Sequence, residues 1–368
     1  MKVQRLRLPN SVEEMWIVLG DDYLPIVPIR DYLRYLRNIE RSPNTIRSYA
    51  YHLKLYWEYL KDAELDWCAV GLTELANFIG WLRNPLANVA SMQVQEAKRT
   101  EATVNAIVTC VAMFYDFHER DGTVEAIPLY SSRIQPGRRY KHFLHHINKG
   151  KPVRARLLKL KEPQRLPKTL TQEQVEQLIG ACRRIRDKFL LCLLYETGMR
   201  IGQALGLRHQ DIQSWDNQIQ IVPRTGNING ARAKTSKTYT VHVSRELMSL
   251  YTDYLLNEFN ETDCEYVFVN LWDGKIGAPM QYGAVADLFH RLSDKTSIKV
   301  HAHQFRHTHG TELIRSGWDA SHVQKRLGHA HIQTTLNTYV HLSDDDMKQA
   351  YQEYIHKRGQ SNDAVSTT

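Results

Sequence analysis

The second half of the chain carries four short patches whose side chains are suited to chemistry. In Thr197-Gly198-Met199-Arg200-Ile201-Gly202-Gln203, Arg200 follows a glycine turn beside apolar helix. Ala233-Lys234-Thr235-Ser236-Lys237 puts Lys234 on the tip or flank of a predicted hairpin. His301-Ala302-His303-Gln304-Phe305-Arg306-His307 sets His303 and Arg306 three apart, on one helical face. Leu327-Gly328-His329 is followed by Thr334-Thr335-Leu336-Asn337-Thr338-Tyr339. Guanidiniums offer forked donors to anionic oxygens. Imidazoles move protons near neutral pH, and a phenol, with an unperturbed pKa of about 10, needs help to become a nucleophile.

Each residue also has a plainer reading. Arg200 alone reads as a cap or surface residue, Lys234 as a solvated hairpin lysine, and His303 as a satisfied, partly buried histidine. Tyr339 alone reads as a core or interface tyrosine, and Tyr351 and Tyr354 offer the same phenol nearby. The histidines have a rival role as well. His301, His303, His307 and His309 form a dense cluster with His322, His329 and His331 further on, and a pair four apart such as His303 and His307 can share a zinc ion from one helix face. Against this, no glutamate falls at the H-E-x-x-H position and no cysteine is near.

The elements that must position these residues can be traced by periodicity. Met15–Leu19 is a short apolar stretch, either strand or extended chain. Tyr32, Leu33, Tyr35 and Leu36 open an amphipathic pattern, and Ser42-Pro43-Asn44-Thr45 starts a long helix to about Leu60 with Ile46, Tyr49, Leu53 and Tyr56 on one face. Leu72–Leu82 and Ala102–Arg120 are two further helices, so residues 27–130 read as a small helical bundle after an N-terminal extension, 1–26. Pro136-Gly137 and Gly150-Lys151-Pro152 then break regular pattern through 131–168. A second body, 169–358, starts at Thr171-Gln172-Glu173-Gln174. It contains the apolar helix Phe189–Thr197 closed by Gly198, alternating strands Gln218–Val222 and Tyr239–Val243, helix Leu247–Leu256, a short strand Tyr266–Val269 and helix Ala284–Leu292. From His303 to about His356 it is helical with short breaks, and 359–368 reads as a disordered tail. The fold class is mainly α with a small β-sheet, in two domains, which agrees with a length of 368 residues.

The net charge of +8 is unevenly placed. Residues 1–130 carry 14 basic and 17 acidic side chains, and residues 169–368 carry 22 of each. Residues 131–168 carry 12 basic side chains, among them Arg138, Arg139, Lys141, Lys149, Lys151, Arg154 and Arg156, against the single acid Glu162. The chain is thus two nearly balanced bodies joined by one strip of +11, a pattern that suits a polyanionic partner. Five cysteines, an odd number with no C-x-x-C, point to a reducing compartment rather than a disulfide framework. No apolar run approaches the ~18–20 residues of a membrane span.

In order and spacing, the Arg200 box, the hairpin Lys234, the His303–Arg306 pair, the Leu327-Gly328-His329 box and Tyr339 together resemble the tyrosine recombinases of the phage integrase family. The resemblance runs from about residue 27 to about 356, and Ser42–Tyr49 is similar to the start of the family's core-binding domain. Met1–Arg5 and Tyr51–Leu60 further resemble the A-type transposases of staphylococcal site-specific transposons. The resemblance implies an N-terminal helical core-binding (SAM-like) domain and a C-terminal α+β integrase domain, forming a C-shaped clamp on double-stranded DNA. It implies that Arg200 and Arg306 clamp a scissile phosphate and that Tyr339 attacks it to form a 3′-phosphotyrosyl link. His303 then serves as base or hydrogen-bond partner, Lys234 protonates the leaving 5′-oxygen, and His329 supports phosphate or nucleophile. Two guanidiniums can perform the neutralisation that Mg²⁺ performs elsewhere, so neither metal nor cofactor is called for.

Two departures stand out. Gln203 occupies a position where the family commonly has an acid, and His301-Ala302 replaces the usual Ser/Thr-Pro. The implied function is site-specific recombination for a mobile element by a homotetramer on two DNA sites, with other element-encoded recombinases as partners, in the bacterial cytoplasm at the nucleoid and with no membrane role. The alternatives are a catalytically silent DNA-binding regulator of the same fold and a metal-dependent nuclease, for which no carboxylate cluster is present. Arg47 and the basic strip are the expected phosphate contacts, and helices Ser42–Leu60, Ala102–Arg120 and Ala284–Leu292 the expected readers of sequence. Neutralising four basic residues of the strip weakens DNA binding and flattens the dependence of log K on log salt; an unchanged slope refutes the strip's role.

Overall fold

The computed structural model describes residues 1–7, 14–83, 97–128, 130–133, 153–163, 167–224, 226–235, 237–259 and 263–339, together with 348, 351, 352 and 355. The chain divides into two compact units, Met1–Gln164 and Arg165–Thr368.

The first unit is a four-helix assembly: α1 (Val27–Asn38), α2 (Pro43–Asp62), α3 (Leu72–Arg83) and α4 (Glu101–Arg120). Proline in the first turn suits the entries to α1 and α2, because the missing N–H is one the helix leaves unpaired there anyway. The Thr100 side chain accepts from the Thr103 backbone N–H to cap α4. Tyr32, Leu53, Tyr56, Phe78, Phe114 and Tyr115 close the core. It is rich in edge-to-face aromatic pairs, among them Tyr32–Phe114 and Tyr56–Phe78. The Tyr56 and Tyr115 hydroxyls lie 2.6 Å apart, and that of Tyr115 also reaches the Trp67 carbonyl.

The N-terminal residues are not extended chain. β1 (Lys2–Arg7) and β2 (Glu14–Leu19) pair antiparallel with Val3 opposite Val18, and Val18 is fully buried in the bundle core. The basic strip also contains order that its proline and glycine content conceals: β3 (Tyr130–Arg133) pairs antiparallel with β4 (Val153–Arg156). Beyond it, Leu158 and Leu160 pack on the bundle core. Asn105 of α4 fastens this segment, its amide nitrogen donating to the Leu160 carbonyl and the Glu162 carboxylate while its oxygen accepts from Leu160 N–H.

The second unit is built around α6 (Ile185–Thr197), whose Phe189, Leu190, Leu191, Leu193 and Leu194 are all wholly buried. A helix apolar on most sides belongs at a centre, and α8 (Arg245–Tyr254) and α10 (Ala302–Arg315) flank it. Around them stand α5 (Gln172–Ala181), α7 (Ile201–Leu205), α9 (Tyr282–Thr296), α11 (Ala320–Leu327) and α12 (Ile332–Tyr339). Thr171 and Gln174 make a reciprocal capping box at the start of α5. The sheet is a three-stranded antiparallel meander, β5 (Ile212–Gln213), β6 (Gln218–Ile221) and β7 (Tyr239–His242), with Ile219 opposite Val241 in the core. β6 and β7 fulfil the expectation of two paired strands, and β5 adds a short edge the alternation did not reveal. The strand expected at Tyr266–Val269 is absent. Tyr266 and Val269 make isolated bridges to Arg208 and Pro279, and burial rather than pairing explains that apolar run.

Replacing Asn105 with alanine strands the Leu160 backbone groups against the bundle. The expected cost is about 1–3 kcal/mol, read as a lower urea midpoint; an unchanged midpoint would show that the 158–162 segment contributes nothing to the first unit.

Candidate active site

The site forms where the ends of several helices meet. Arg306, in the second turn of α10, is 1% exposed. One guanidinium nitrogen donates to the Gly198 carbonyl at 2.8 Å and the other to the Leu327 carbonyl at 2.8 Å. Gly198 ends α6 in the left-handed conformation and Leu327 is the last residue of α11, so both acceptors are carbonyls that a helix end leaves free. Any side chain at 198 would need a positive φ and would strike His309 and Leu327 at 2.7 Å, so glycine is required there. Burial pushes the Arg306 guanidinium down to about 10, with Arg200 adding repulsion.

Arg200 stands immediately before α7, its backbone N–H bonded to the Gln203 side-chain oxygen at 2.8 Å. One of its guanidinium nitrogens is buried with no hydrogen-bond partner among the described residues. Two cations thus face one place, and one of them has an unused donor.

Tyr339 is the last described residue of α12 and is 5% exposed. Its ring lies parallel to that of His329, with centroids 6.0 Å apart, and tilted to that of His307 at 5.9 Å. It rests on the backbone of α10 at Gly310, where a Cβ would stand 2.7 Å from the ring. Burial raises the phenol's pKa, while the charge and hydrogen bonding of Arg306 pull it back.

The imidazoles around this point are held neutral. His329 bonds the Thr335 hydroxyl at 2.8 Å, and burial followed by the charges of Arg306 and Arg200 takes it down to about 3. His303, in the first turn of α10, has an exposed edge and an inner side against His307, ring centroids 4.5 Å apart. Desolvation, then His307, Arg306 and Arg200, lower it to about 4. His309 accepts at Nε2 from Arg326 Nε at 3.0 Å and is taken to about 3 by burial. Arg326 in turn ties the Glu196 and His242 carbonyls together.

Of the sequence-predicted site residues, Arg200, His303, Arg306, His329 and Tyr339 converge. Lys234 lies on the connection between the paired strands β6 and β7, exposed and at positive φ. Arg47 is exposed on α2 with its guanidinium 5.3 Å from the Trp16 ring centre. Arg154 and Arg156 fall in β4, and Arg138, Arg139, Lys141, Lys149 and Lys151 lie outside the described residues. Tyr351 is 64% exposed, unlike Tyr339, and Tyr354 is outside the described residues. Among the described residues no group of three or more His, Cys, Asp or Glu is placed to hold a metal ion. Nor is any helix long and apolar enough to cross a membrane. Sequence reading missed Thr335, Gly310, Arg326 and the functional partner of Gln203; Thr335 acts through His329 six positions away, and the others through neighbours distant in the chain.

Paired guanidiniums with an unused donor, neutral imidazoles and a buried phenol form a set of groups suited to an anionic oxygen-rich centre. The comparisons place the chain in a family. Residues 168–346 match the phage integrase family and residues 29–121 the phage integrase N-terminal SAM-like domain. The chain is 46% identical to transposase A from transposon Tn554 of Staphylococcus aureus, over 97% of its own length and 99% of that protein's. It is 26% identical to tyrosine recombinase XerC of Oceanobacillus iheyensis, over 90% and 95% of the two chains. Among solved structures, the Tn1549 transposon integrase in complex with transposon right end DNA matches with a TM-score of 0.60, 17% identity and coverage of 89% and 99%. The XerH recombinase bound to a palindromic difH substrate matches with a TM-score of 0.60, 18% identity and coverage of 89% and 84%. This chain belongs to the phage integrase family, the tyrosine recombinases.

Histidines held neutral by the fold make stability depend on pH. Their folded values lie below the unfolded value of about 6.5, so the unfolded chain takes up more protons. The stability they contribute is full above about pH 6.5 and lost as pH falls towards 3–4. The thermal midpoint of the second unit falls steadily from pH 7 to 5. His309→Gln, which keeps an acceptor for Arg326, makes that fall shallower; an equal slope would show His309 is not held neutral.

Proposed function

We propose that this chain is a site-specific DNA recombinase and transposase that breaks and rejoins strands through a covalent 3′-phosphotyrosine. The observation that carries this is the convergence of Arg306, Arg200 and Tyr339, with an unpaired buried guanidinium nitrogen facing the same place. In the proposed reaction the two guanidiniums hold the nonbridging oxygens of a scissile phosphate. The Tyr339 oxygen bonds to phosphorus as its proton passes to neutral His303, and the 5′-oxygen departs with a proton from Lys234. His329, neutral and fixed by Thr335, donates to the phosphate or steadies the Tyr339 ring stacked on it. Because the phosphotyrosine conserves the bond energy, a 5′-hydroxyl of another strand reverses the step and rejoins DNA without a nucleotide cofactor.

Residues 27–130 serve as the core-DNA-binding domain, 131–168 as the basic connection along the duplex and 169–358 as the catalytic domain. Lys234 is exposed on the connection between β6 and β7, open to the departing 5′-oxygen of a bound duplex. A homotetramer on two DNA sites, recombinase partners encoded beside it and a place at the bacterial nucleoid complete the proposal. A silent regulator of the same fold is disfavoured because the whole set Arg200, Lys234, His303, Arg306, His329 and Tyr339 is present.

A nicked suicide duplex carrying the recombination site tests the reading. Wild type yields a covalent protein–DNA adduct in the presence of a chelator, and Tyr339→Phe yields none. Arg306→Ala slows adduct formation by about 10²–10³. An adduct that survives Tyr339→Phe overturns the nucleophile assignment.

A further inference from the structure

A second, partly buried phenol stands at this site. Tyr239 opens β7, opposite Ile221 of β6. Its ring packs on the backbone of Gly328 so closely that a Cβ there would stand 2.7 Å from the ring and hydroxyl. The charges of Arg200 and Arg306 both act on it.

The hydrogen-bond polarity around its hydroxyl is dictated by the backbone. The Arg200 N–H can only donate, and it donates to the side-chain oxygen of Gln203 at 2.8 Å. The Gln203 amide is therefore oriented, and its nitrogen is the atom 3.0 Å from the Tyr239 oxygen. An amide nitrogen only donates, so Tyr239 is the acceptor in that bond and retains its one hydroxyl hydrogen for another partner. Among the described residues that hydrogen meets no acceptor. The charged groups acting on the phenol are two guanidiniums, which have donors alone. A partly buried donor among cations, with no protein acceptor for its hydrogen among the described residues, is a place for an anion's oxygen.

We propose that Tyr239 is a further phosphate-binding residue, donating its hydroxyl hydrogen to a nonbridging oxygen of the scissile phosphodiester, and that Gln203 is the positioning residue that leaves this hydrogen free. The inference rests on the proposed recombinase reading. It also gives Gln203 a chemical reason. A carboxylate at that position would still accept from the Arg200 N–H but would present an acceptor to Tyr239, drawing the hydroxyl hydrogen away from the phosphate.

Single-turnover adduct formation on the nicked duplex tests this, with DNA affinity measured alongside. Tyr239→Phe slows adduct formation by about 10–100-fold while affinity changes by less than about threefold, as expected for loss of one neutral donor to a charged oxygen. Gln203→Glu slows it comparably, and the double variant is no slower than the worse single one. Gln203→Glu keeps the Tyr239 ring, so it decides the question if Tyr239→Phe folds poorly. A methylphosphonate at the scissile position separates contact from scaffolding. In the stereoisomer that replaces the contacted oxygen by methyl, Tyr239→Phe and wild type cleave alike, whereas they differ in the other. Rates within twofold of wild type for both variants overturn the proposal, as does a defect equal in both stereoisomers. Either result leaves the recombinase reading standing provided Tyr339→Phe remains inert. Absence of a wild-type adduct, or an adduct in Tyr339→Phe, fails the recombinase reading itself.

Discussion

Arg306 is a cation that folding has taken out of water with no carboxylate to meet it among the described residues. A lone buried charge is costly. What makes this one tolerable is the pair of carbonyls at the C-terminal ends of α6 and α11, which carry the partial negative charge of a helix end. The remainder of the second unit arranges itself around that compromise. α6 must end at Gly198 and α11 at Leu327 for both carbonyls to point inward, and the glycine turns at 198 and 328 make those endings sharp. Two carbonyl dipoles offset a full charge only in part, so the guanidinium remains attractive to an anion. Its field opposes the burial that raises Tyr339 and Tyr239, and adds to the burial that lowers His303, His307, His309 and His329.

Close backbone approach supplies the geometry that charge alone cannot. Gly310 lets the Tyr339 ring lie on α10, and Gly328 lets the Tyr239 ring lie against the end of α11. The two phenols therefore take their places from helix backbone, whose position is set by a rigid core, rather than from mobile side chains. The small cluster of Val323, Leu327 and Tyr339 shows the same economy, since Leu327 contributes a side chain to seat the tyrosine and a carbonyl to hold Arg306.

Much of this was legible in the sequence, and the boundary is physical. Helices announce themselves through local period, so Ser42–Leu60 corresponds to α2, Ala102–Arg120 to α4, Phe189–Thr197 to the apolar run of α6 and Ala284–Leu292 to the middle of α9. The site boxes were legible because each needs only a few residues at fixed spacing. Pairings between distant segments were not. The β1–β2 ribbon, the β3–β4 pair inside a strip dominated by charge, and the Asn105 bracket across fifty-odd residues leave no periodic trace. Tyr266–Val269 misled because a buried apolar run looks alike whether it joins a continuous ladder or makes only isolated bridges. Gln203 was conspicuous from sequence as a departure, but its partner Tyr239 lies 36 positions away and only the fold joins them.

The neutral imidazoles bear on the timing of the proposed reaction. In the protein alone, His303 near 4 is a weak base, ill matched to a phenol raised above its ordinary value. The charges that depress it after desolvation are those of His307, Arg306 and Arg200, and a phosphodiester seated between the arginines cancels much of the arginine field. In the proposed reaction phosphate arrival therefore relieves the arginine part of the depression and makes His303 a somewhat stronger base, while desolvation, the larger cause, stays. The same event removes the arginine pull that favours the phenolate of Tyr339, so the phenol keeps its proton until a base can take it. A cationic site with no substrate disfavours a charged histidine; the same site filled favours one. In the proposed reaction the substrate's charge thus works in favour of the base that activates the nucleophile.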